Sequence, residues 1–169
     1  MVKQRDTFVF CTACRAALED RGGYKVCTQC GKHYYANPKP AAVIVLSDAS
    51  GKLLITKRGR DPFKDWWDFP GGFVEEDETL EQAATRELKE ETGVEAANLS
   101  YIGSFKEDYE FRGEVVPVVV AVFAGSLPQD VPVVVGDDVS SYKFIAKQDL
   151  NIEEIAFTNQ RAFMENYFK

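Results

Sequence analysis

The stretch from Gly71 to Val94, GGFVEEDETLEQAATRELKEETGV, constrains this chain more than any other. A glycine pair opens it, an acidic run follows, and a short helix closes it. Thr79 is placed to cap that helix, with Gln82 three residues on, and Gly93 stands where a left-handed C-terminal cap belongs. Between them, residues 80–92 are strong helix formers apart from Thr85 and Thr92. On a wheel of about 100° per residue, Glu87, Glu90 and Glu91 share an arc of about 100°. Like charges three and four apart cost a helix roughly 0.2–0.5 kcal/mol per pair, and Arg86 and Lys89 are the only local relief. A solvated, charge-rich face is the ordinary explanation of such a run. Here the carboxylates flank a Leu80, Ala84, Leu88 stripe that should pack inward, which sets the acids at the edge of the core. Hard oxygen donors beside a glycine turn suit Mg2+ or Mn2+, which bind a few carboxylates together with substrate phosphates.

All four cysteines fall in the first 37 residues, as Cys11-Thr-Ala-Cys14 and Cys27-Thr-Gln-Cys30. Two such pairs, with Gly31 after the second, read as a tetrathiolate zinc site. Four protein ligands close a site, so its role is structural. Two disulfides are the alternative, but a chain without a secretion signal is expected among reduced thiols. Gly22-Gly23 supplies a turn between the pairs, so the segment reads as a hairpin ribbon. His33, the only histidine, is read as a surface residue or one outside the ligand set.

A length of 169 residues suggests one main domain with a small appendage, divided here as 1–37 and 38–169. The net charge of -7 speaks against non-specific nucleic-acid binding and against attachment to an anionic membrane surface. It would also repel an anionic substrate unless bound cations intervene. No apolar run reaches the ~18 residues of a membrane span, and MVKQRDTF lacks a signal-peptide core, so a cytoplasmic location is expected by default.

Asn37-Pro38-Lys39-Pro40 reads as an extended linker. Residues 41–46 and 52–57 read as two strands of a hairpin. Arg58-Gly59-Arg60 follows as a polar loop, in which Arg58 and Arg60 are candidate phosphate contacts or simply exposed charges. Trp66, Trp67 and Phe69 lead into the glycine pair; they read as core, with Trp67 or Phe69 able to stack on a nucleobase instead. Residues 99–105 and 115–124 read as strands. Between them 106–114 reads as an acidic, aromatic turn whose Tyr109 is a candidate substrate contact beside Phe111. Residues 128–135 read as a proline-broken connection, Gly136-Asp137-Asp138 as a turn, 142–145 as a strand, and 158–168 as an amphipathic helix with Phe163 and Tyr167 four apart.

Gly72, then Glu78 after five intervening residues, Arg86-Glu87-Leu88 after seven more, then Glu90-Glu91, Gly93 and Val94 match the Nudix box at every fixed position. The chain thus resembles the Nudix hydrolases. The resemblance implies an α+β fold, an α/β/α sandwich with a mixed sheet, and hydrolysis of a nucleoside diphosphate linked to another moiety. It implies Glu87, Glu90 and Glu91 as ligands of two or more Mg2+ or Mn2+ ions, the Gly71 carbonyl as a further ligand, and Arg86 paired with Glu78. An acidic residue, commonly Glu, often serves as an extra ligand or base near the place where Asp138 stands here. The ribbon followed by His33-Tyr34-Tyr35-Ala36-Asn37-Pro38 resembles the entry to NADH diphosphatase-type members. Those carry Ser-Gln-Pro-Trp-Pro-Phe-Pro after the box, whereas this chain reads Gly103-Ser104-Phe105-Lys106-Glu107-Asp108-Tyr109, so NADH preference is not carried over.

The expected protein is therefore a metal-dependent pyrophosphohydrolase of ADP-ribose or a related nucleotide. Glu78, Glu90, Glu91 or a loop carboxylate could act as base. Nucleic acid and membrane are not expected partners, and a homodimer is one assembly the ribbon could serve. The competing reading is a nucleotide-sensing or protein-binding module on the same fold, which would be expected to lose box glutamates.

Overall fold

Short turns shape the N-terminal part of the chain, and long strands the rest. The computed structural model describes residues 2–96, 98–129, 131–136 and 138–167, with the backbone alone at Phe111 and Tyr167. The chain forms two units, one of Met1–Lys39 with Asp108–Pro117, the other of Pro40–Glu107 with Val118–Lys169.

In the first unit, β1 (Val2–Lys3) leads into a one-turn helix α1 (Gln4–Thr7), followed by β2 (Leu18–Asp20), β3 (Lys25–Cys27) and β4 (His33–Tyr34). β2 pairs antiparallel with β3, Leu18 opposite Cys27 and Asp20 opposite Lys25, and β4 adds to the other edge of β3. Gly22, at φ 89°, adopts the left-handed conformation that the expected hairpin turn needs. Arg5 pairs with Asp20, so α1 is tied to this hairpin.

Apart from Lys39 and residues 108–117, the second unit contains β5 (Lys39–Ser47), β6 (Leu53–Arg58), β7 (Trp67–Asp68), β8 (Gly71–Phe73), α2 (Leu80–Thr92), β9 (Ser100–Phe111), β10 (Glu114–Ser126), β11 (Val139–Ile145) and α3 (Thr158–Tyr167). The strand order runs β10-β5-β6-β11, with β9 on β10, β8 on β5 and β7 on β6. At the β9–β10 tip, which belongs to the first unit, β1 runs parallel to β10, with Val2 opposite Glu114. The sheet is therefore mixed.

Residues 41–46 of β5 are buried without a break, so both of its faces are covered. On one face Ala42, Ile44 and Leu46 pack with Leu54, Ala121 and Phe123 against Ala83, Ala84 and Leu88 of α2. Outside that cluster, α3 buries Phe163 and Met164, and the Phe163 ring meets Phe105 of β9 at 5.8 Å. This is an α+β fold of α/β/α layering. The α3 N-terminus is capped from a distance: Glu107 accepts from the Thr158 hydroxyl at 3.0 Å and from the Asn159 N–H at 2.9 Å.

α2 has the ends read from its sequence, a capping box of Thr79 with Gln82 and a left-handed Gly93 at φ 68°. Its buried stripe differs. Leu80 is 37% exposed, and Ala83 takes the inward position expected of it, because the first turn carries Leu80 beyond the packed part of the face. The expected loop at 106–114 is also absent: β9 continues to Phe111 and turns through Arg112 and Gly113, both at positive φ. Asp137, Phe168 and the side chains of Phe111 and Tyr167 lie outside the described residues.

The proline-broken segment has a defined task. Val134 N–H donates to the Thr92 carbonyl at 2.8 Å and Gly136 N–H to the Glu91 carbonyl at 3.0 Å, satisfying acceptors that the end of α2 leaves open. A Cβ on Gly136 would stand 2.1 Å from the Glu90 carbonyl oxygen. Gly136→Ala should therefore lower stability by about 1–3 kcal/mol, the scale of overpacking, as a reduced urea midpoint with an unchanged slope.

Candidate active site and cysteine cluster

Both cysteine pairs sit on the same turn. Arg15 N–H donates to the Cys11 carbonyl at 2.9 Å and Gly31 N–H to the Cys27 carbonyl at 3.1 Å, and Arg15 and Gly31 are both left-handed. Only the second pair announces that turn by a glycine. The turns bring Cys11 Sγ within 3.6 Å of Cys30 Sγ, Cys14 Sγ within 3.4 Å of Cys27 Sγ, and all four sulfurs within 4.8 Å of one another. All four are free thiols, too far apart for bonds of about 2.05 Å. Tetrahedral zinc–sulfur bonds of about 2.3 Å would separate sulfurs by about 3.8 Å, close to what is seen. Tyr34 Oη–H donates to Cys11 Sγ at 3.1 Å and holds that thiol down at about 5. The Ala16 backbone N–H favours a Cys14 thiolate, but Cys27, burial and the other two thiols push Cys14 up to about 12. Four sulfurs this close cannot all ionise without a cation among them. The donor set fits one zinc ion. His33 stands apart, against the rings of Tyr24 and Tyr35.

The glutamates of α2 are placed by the glycine pair. Gly71 is at φ 153°, and a Cβ there would stand 2.2 Å from the Ala42 carbonyl oxygen. Its N–H donates to Glu91 Oε2 at 3.0 Å. A Cβ on Gly72 would stand 2.3 Å from Glu87 Oε1, so the missing side chain is the room that the Glu87 carboxylate occupies. Burial pushes the Glu87 carboxyl above its usual range. Burial and then the charge of Asp68 push Glu91 up to about 8. Glu90 is the open member, with 59% of its side chain exposed.

Arg86 lies across this face. Its Nε and Nη2 donate to the two oxygens of Glu78 at 2.6 and 2.9 Å, its Nη1 to Glu87 at 2.9 Å and Glu90 at 3.0 Å, and Nη2 also to the Phe73 carbonyl at 3.0 Å. The Arg86 hydrogen bonds hold the Glu78 carboxyl below its usual range. Among the described residues only the four cysteines converge within 4.8 Å; the glutamates do not, and Arg86 Nη1 stands between Glu87 and Glu90. Carboxylate oxygens, those of Glu87 and Glu91 desolvated by burial, are nonetheless the donors that Mg2+ or Mn2+ takes. The site fits such an ion with Arg86 displaced from part of it.

The expected substrate contacts lie in surroundings of different kinds. Phe69 is 1% exposed, so its ring serves packing and presents no face to a ligand. Arg58 ends a strand instead of standing in a loop, and its Nη1 and Nε are committed to Asp68 Oδ2 at 2.8 Å and the Pro62 carbonyl at 2.7 Å. Trp67 is half-buried, with Lys143 Nζ 3.9 Å from its ring centroid, so one ring face is already occupied. Tyr109 lies in strand β9 and not in a loop. Asp138, expected as an extra ligand or base, pairs with Arg60 at 2.6 Å. Sequence reading overlooked Asp68 and Gln160. Both are buried; Gln160 donates to Asp68 and accepts from Phe69 N–H at 3.1 Å.

A family model of the NUDIX domain matches residues 37–167. The ADP-ribose pyrophosphatase of Methanocaldococcus jannaschii is 36% identical over 135 residues, covering 77% of this chain and 75% of that protein. The chain belongs to the NUDIX family. As a NUDIX pyrophosphohydrolase it acts on phosphoric anhydrides. The NAD-capped RNA hydrolase NudC of Pseudomonas aeruginosa is 37% identical over 97 residues, 56% of this chain and only 34% of that protein. A NUDIX hydrolase structure from Nitrosomonas europaea shares the fold at TM-score 0.69 and 24% identity, covering 95% of this chain and 92% of that one.

In this NUDIX site a raised carboxyl pKa carries a stability signature. Glu91, near 8 when folded and about 4.3 when unfolded, keeps its proton in the folded state where the unfolded chain has lost it. Its contribution is complete below the lower value and is lost as pH rises through the upper one. Protein without added divalent ion should therefore lose melting temperature between about pH 4.3 and 8, with no further loss from this group above that, and Glu91→Gln should flatten the loss. Parallel curves for the two proteins would refute the assignment.

Proposed function

We propose that this protein hydrolyses the pyrophosphate bond of ADP-ribose or a related nucleoside diphosphate derivative. Glu87, Glu90, Glu91 and the Gly71 carbonyl would hold Mg2+ or Mn2+. The observation that carries this is the burial of Glu87 and Glu91 against the Gly71-Gly72 backbone, with Arg86 alone among the described residues positioned to balance Glu87 and Glu90. The name borne by the archaeal relative supports the substrate.

Divalent ions would neutralise the diphosphate and lower the pKa of an attacking water. Glu78 has both oxygens engaged by Arg86, so it fixes the loop and is a poor base. The proton then falls to Glu90, Glu91 or a loop carboxylate, of which Glu90 is the most open to solvent among the three helix glutamates. Residues 1–37 form a ribbon holding one structural zinc, and residues 38–169 form the catalytic domain.

A screen for phosphate-group release with Mg2+ or Mn2+ should cover ADP-ribose, NADH, NAD+, nucleoside triphosphates and diadenosine polyphosphates, with ADP-ribose the expected substrate. Glu90→Gln should lower kcat by about 100-fold or more, the scale for losing one group that stabilises transition-state charge, with an unchanged melting temperature. Nucleotide binding without turnover of any compound would favour the sensing module. For the ribbon, mass spectrometry of freshly purified, unstripped protein should find one zinc per chain, and Cys14→Ser should lose it.

A further inference from the structure

The C-terminal helix reaches the glycine loop through one buried amide. Gln160 of α3 is 4% exposed, and both ends of its side chain are used on adjacent residues of the segment that leads into the loop. Its Nε2 donates to Asp68 Oδ1, and its Oε1 accepts from Phe69 N–H at 3.1 Å. Asp68 Oδ2 meanwhile accepts from Arg58 Nη1 at 2.8 Å, so this buried carboxylate is gripped from β6 and α3 at once. Just before α3, Ala156 N–H donates to the Trp67 carbonyl at 2.8 Å. Residues 67, 68 and 69 are thus held in succession.

Pro70 comes next along the chain, and then Gly71, whose N–H meets Glu91. Gly71 also presses so closely on Ala42 that no Cβ fits. A loop with that little clearance transmits a shift of Phe69 directly to the Gly71 peptide, because only Pro70 intervenes and its φ is fixed. A side chain that donates and accepts at once fixes both the position and the rotation of its partner, which an apolar contact of equal volume cannot do.

We propose that Gln160 is a positioning residue for the metal-binding loop: from α3 it fixes Asp68 and Phe69 and thereby sets Gly71 against Glu91. The inference rests on the carboxylate site proposed above, and it assigns to the C-terminal helix a part in that site that the box residues do not contain.

The test compares wild type, Gln160→Met, Glu90→Gln and a packing control, Phe163→Leu, which loosens α3 without touching the amide. Mn2+ affinity is measured by electron paramagnetic resonance, Gly71 amide exchange by NMR, and melting temperature on the same samples. Gln160→Met should bind Mn2+ at least tenfold more weakly and exchange the Gly71 amide at least tenfold faster, while Phe163→Leu, compared at the same temperature below its melting point, changes neither. With a working substrate, kcat should fall more than KM rises. If Gln160→Met and Phe163→Leu weaken Mn2+ binding equally, Gln160 is merely structural and the proposal is overturned. If Glu90→Gln leaves Mn2+ affinity unchanged, the carboxylate site itself is wrong and the inference falls with it.

Discussion

The guanidinium of Arg86 is the contact on which the loop, the helix and the carboxylates all depend. Its fork meets Glu78 with two parallel hydrogen bonds, and its remaining donors reach Glu87, Glu90 and the Phe73 carbonyl. A lysine could supply the charge but not the fixed divergence of donors that joins a loop to two helix positions. The strand β8, the turn after it and the face of α2 are thereby locked in one register. The repulsion among the helix glutamates is met within the chain first, by an arginine one residue from Glu87.

Glycine supplies the second constraint. Gly71, Gly72 and Gly136 each stand where a Cβ would overlap another atom: the Ala42 backbone, the Glu87 carboxylate and the Glu90 backbone respectively. α2 is therefore approached closely near its C-terminal half from two directions, by the loop that precedes it and by the segment that follows β10. Burial of Glu87 and Glu91 is a consequence of that closeness. A helix whose acids faced open solvent would have ordinary carboxyls and no reason for the two close contacts that Gly72 and Gly136 make with it.

The features legible from residues alone were local ones. The capping box, the left-handed Gly93, the unbroken burial of β5 and the two cysteine turns all arise from interactions within a few residues. The errors came where partners are distant or where a strand ignores its composition. Acidic residues 106–110 read as a turn, yet the alternation of half-buried Phe105, Glu107 and Tyr109 with exposed Lys106, Asp108 and Glu110 is a strand pattern, closed by Arg112-Gly113. Leu80 belonged to the inward arc by angle but lies a turn too early to be covered. Asp68 and Gln160, 92 residues apart, had no signal that either would be buried. Arg58 looked like a loop cation because the end of β6 could not be placed to within a residue, and its partner Asp68 was hidden between two tryptophans and a phenylalanine.

The two clusters of anionic donors differ in how far the chain has assembled them, and the difference lies in what surrounds each. The thiols converge because each pair is bent around its own turn and because Tyr34 and backbone N–H groups already support negative sulfur. Among the described residues no cationic side chain is wedged among those sulfurs in the way that Arg86 is wedged among the glutamates, as suits a closed structural centre. The glutamates are held slightly apart, with Arg86 Nη1 between two of them. An ion entering there must take over the work of that nitrogen, while the Nε and Nη2 bonds to Glu78 keep the arginine in place. The one donor shared between Glu87 and Glu90 is thus separable from the two that fix the loop.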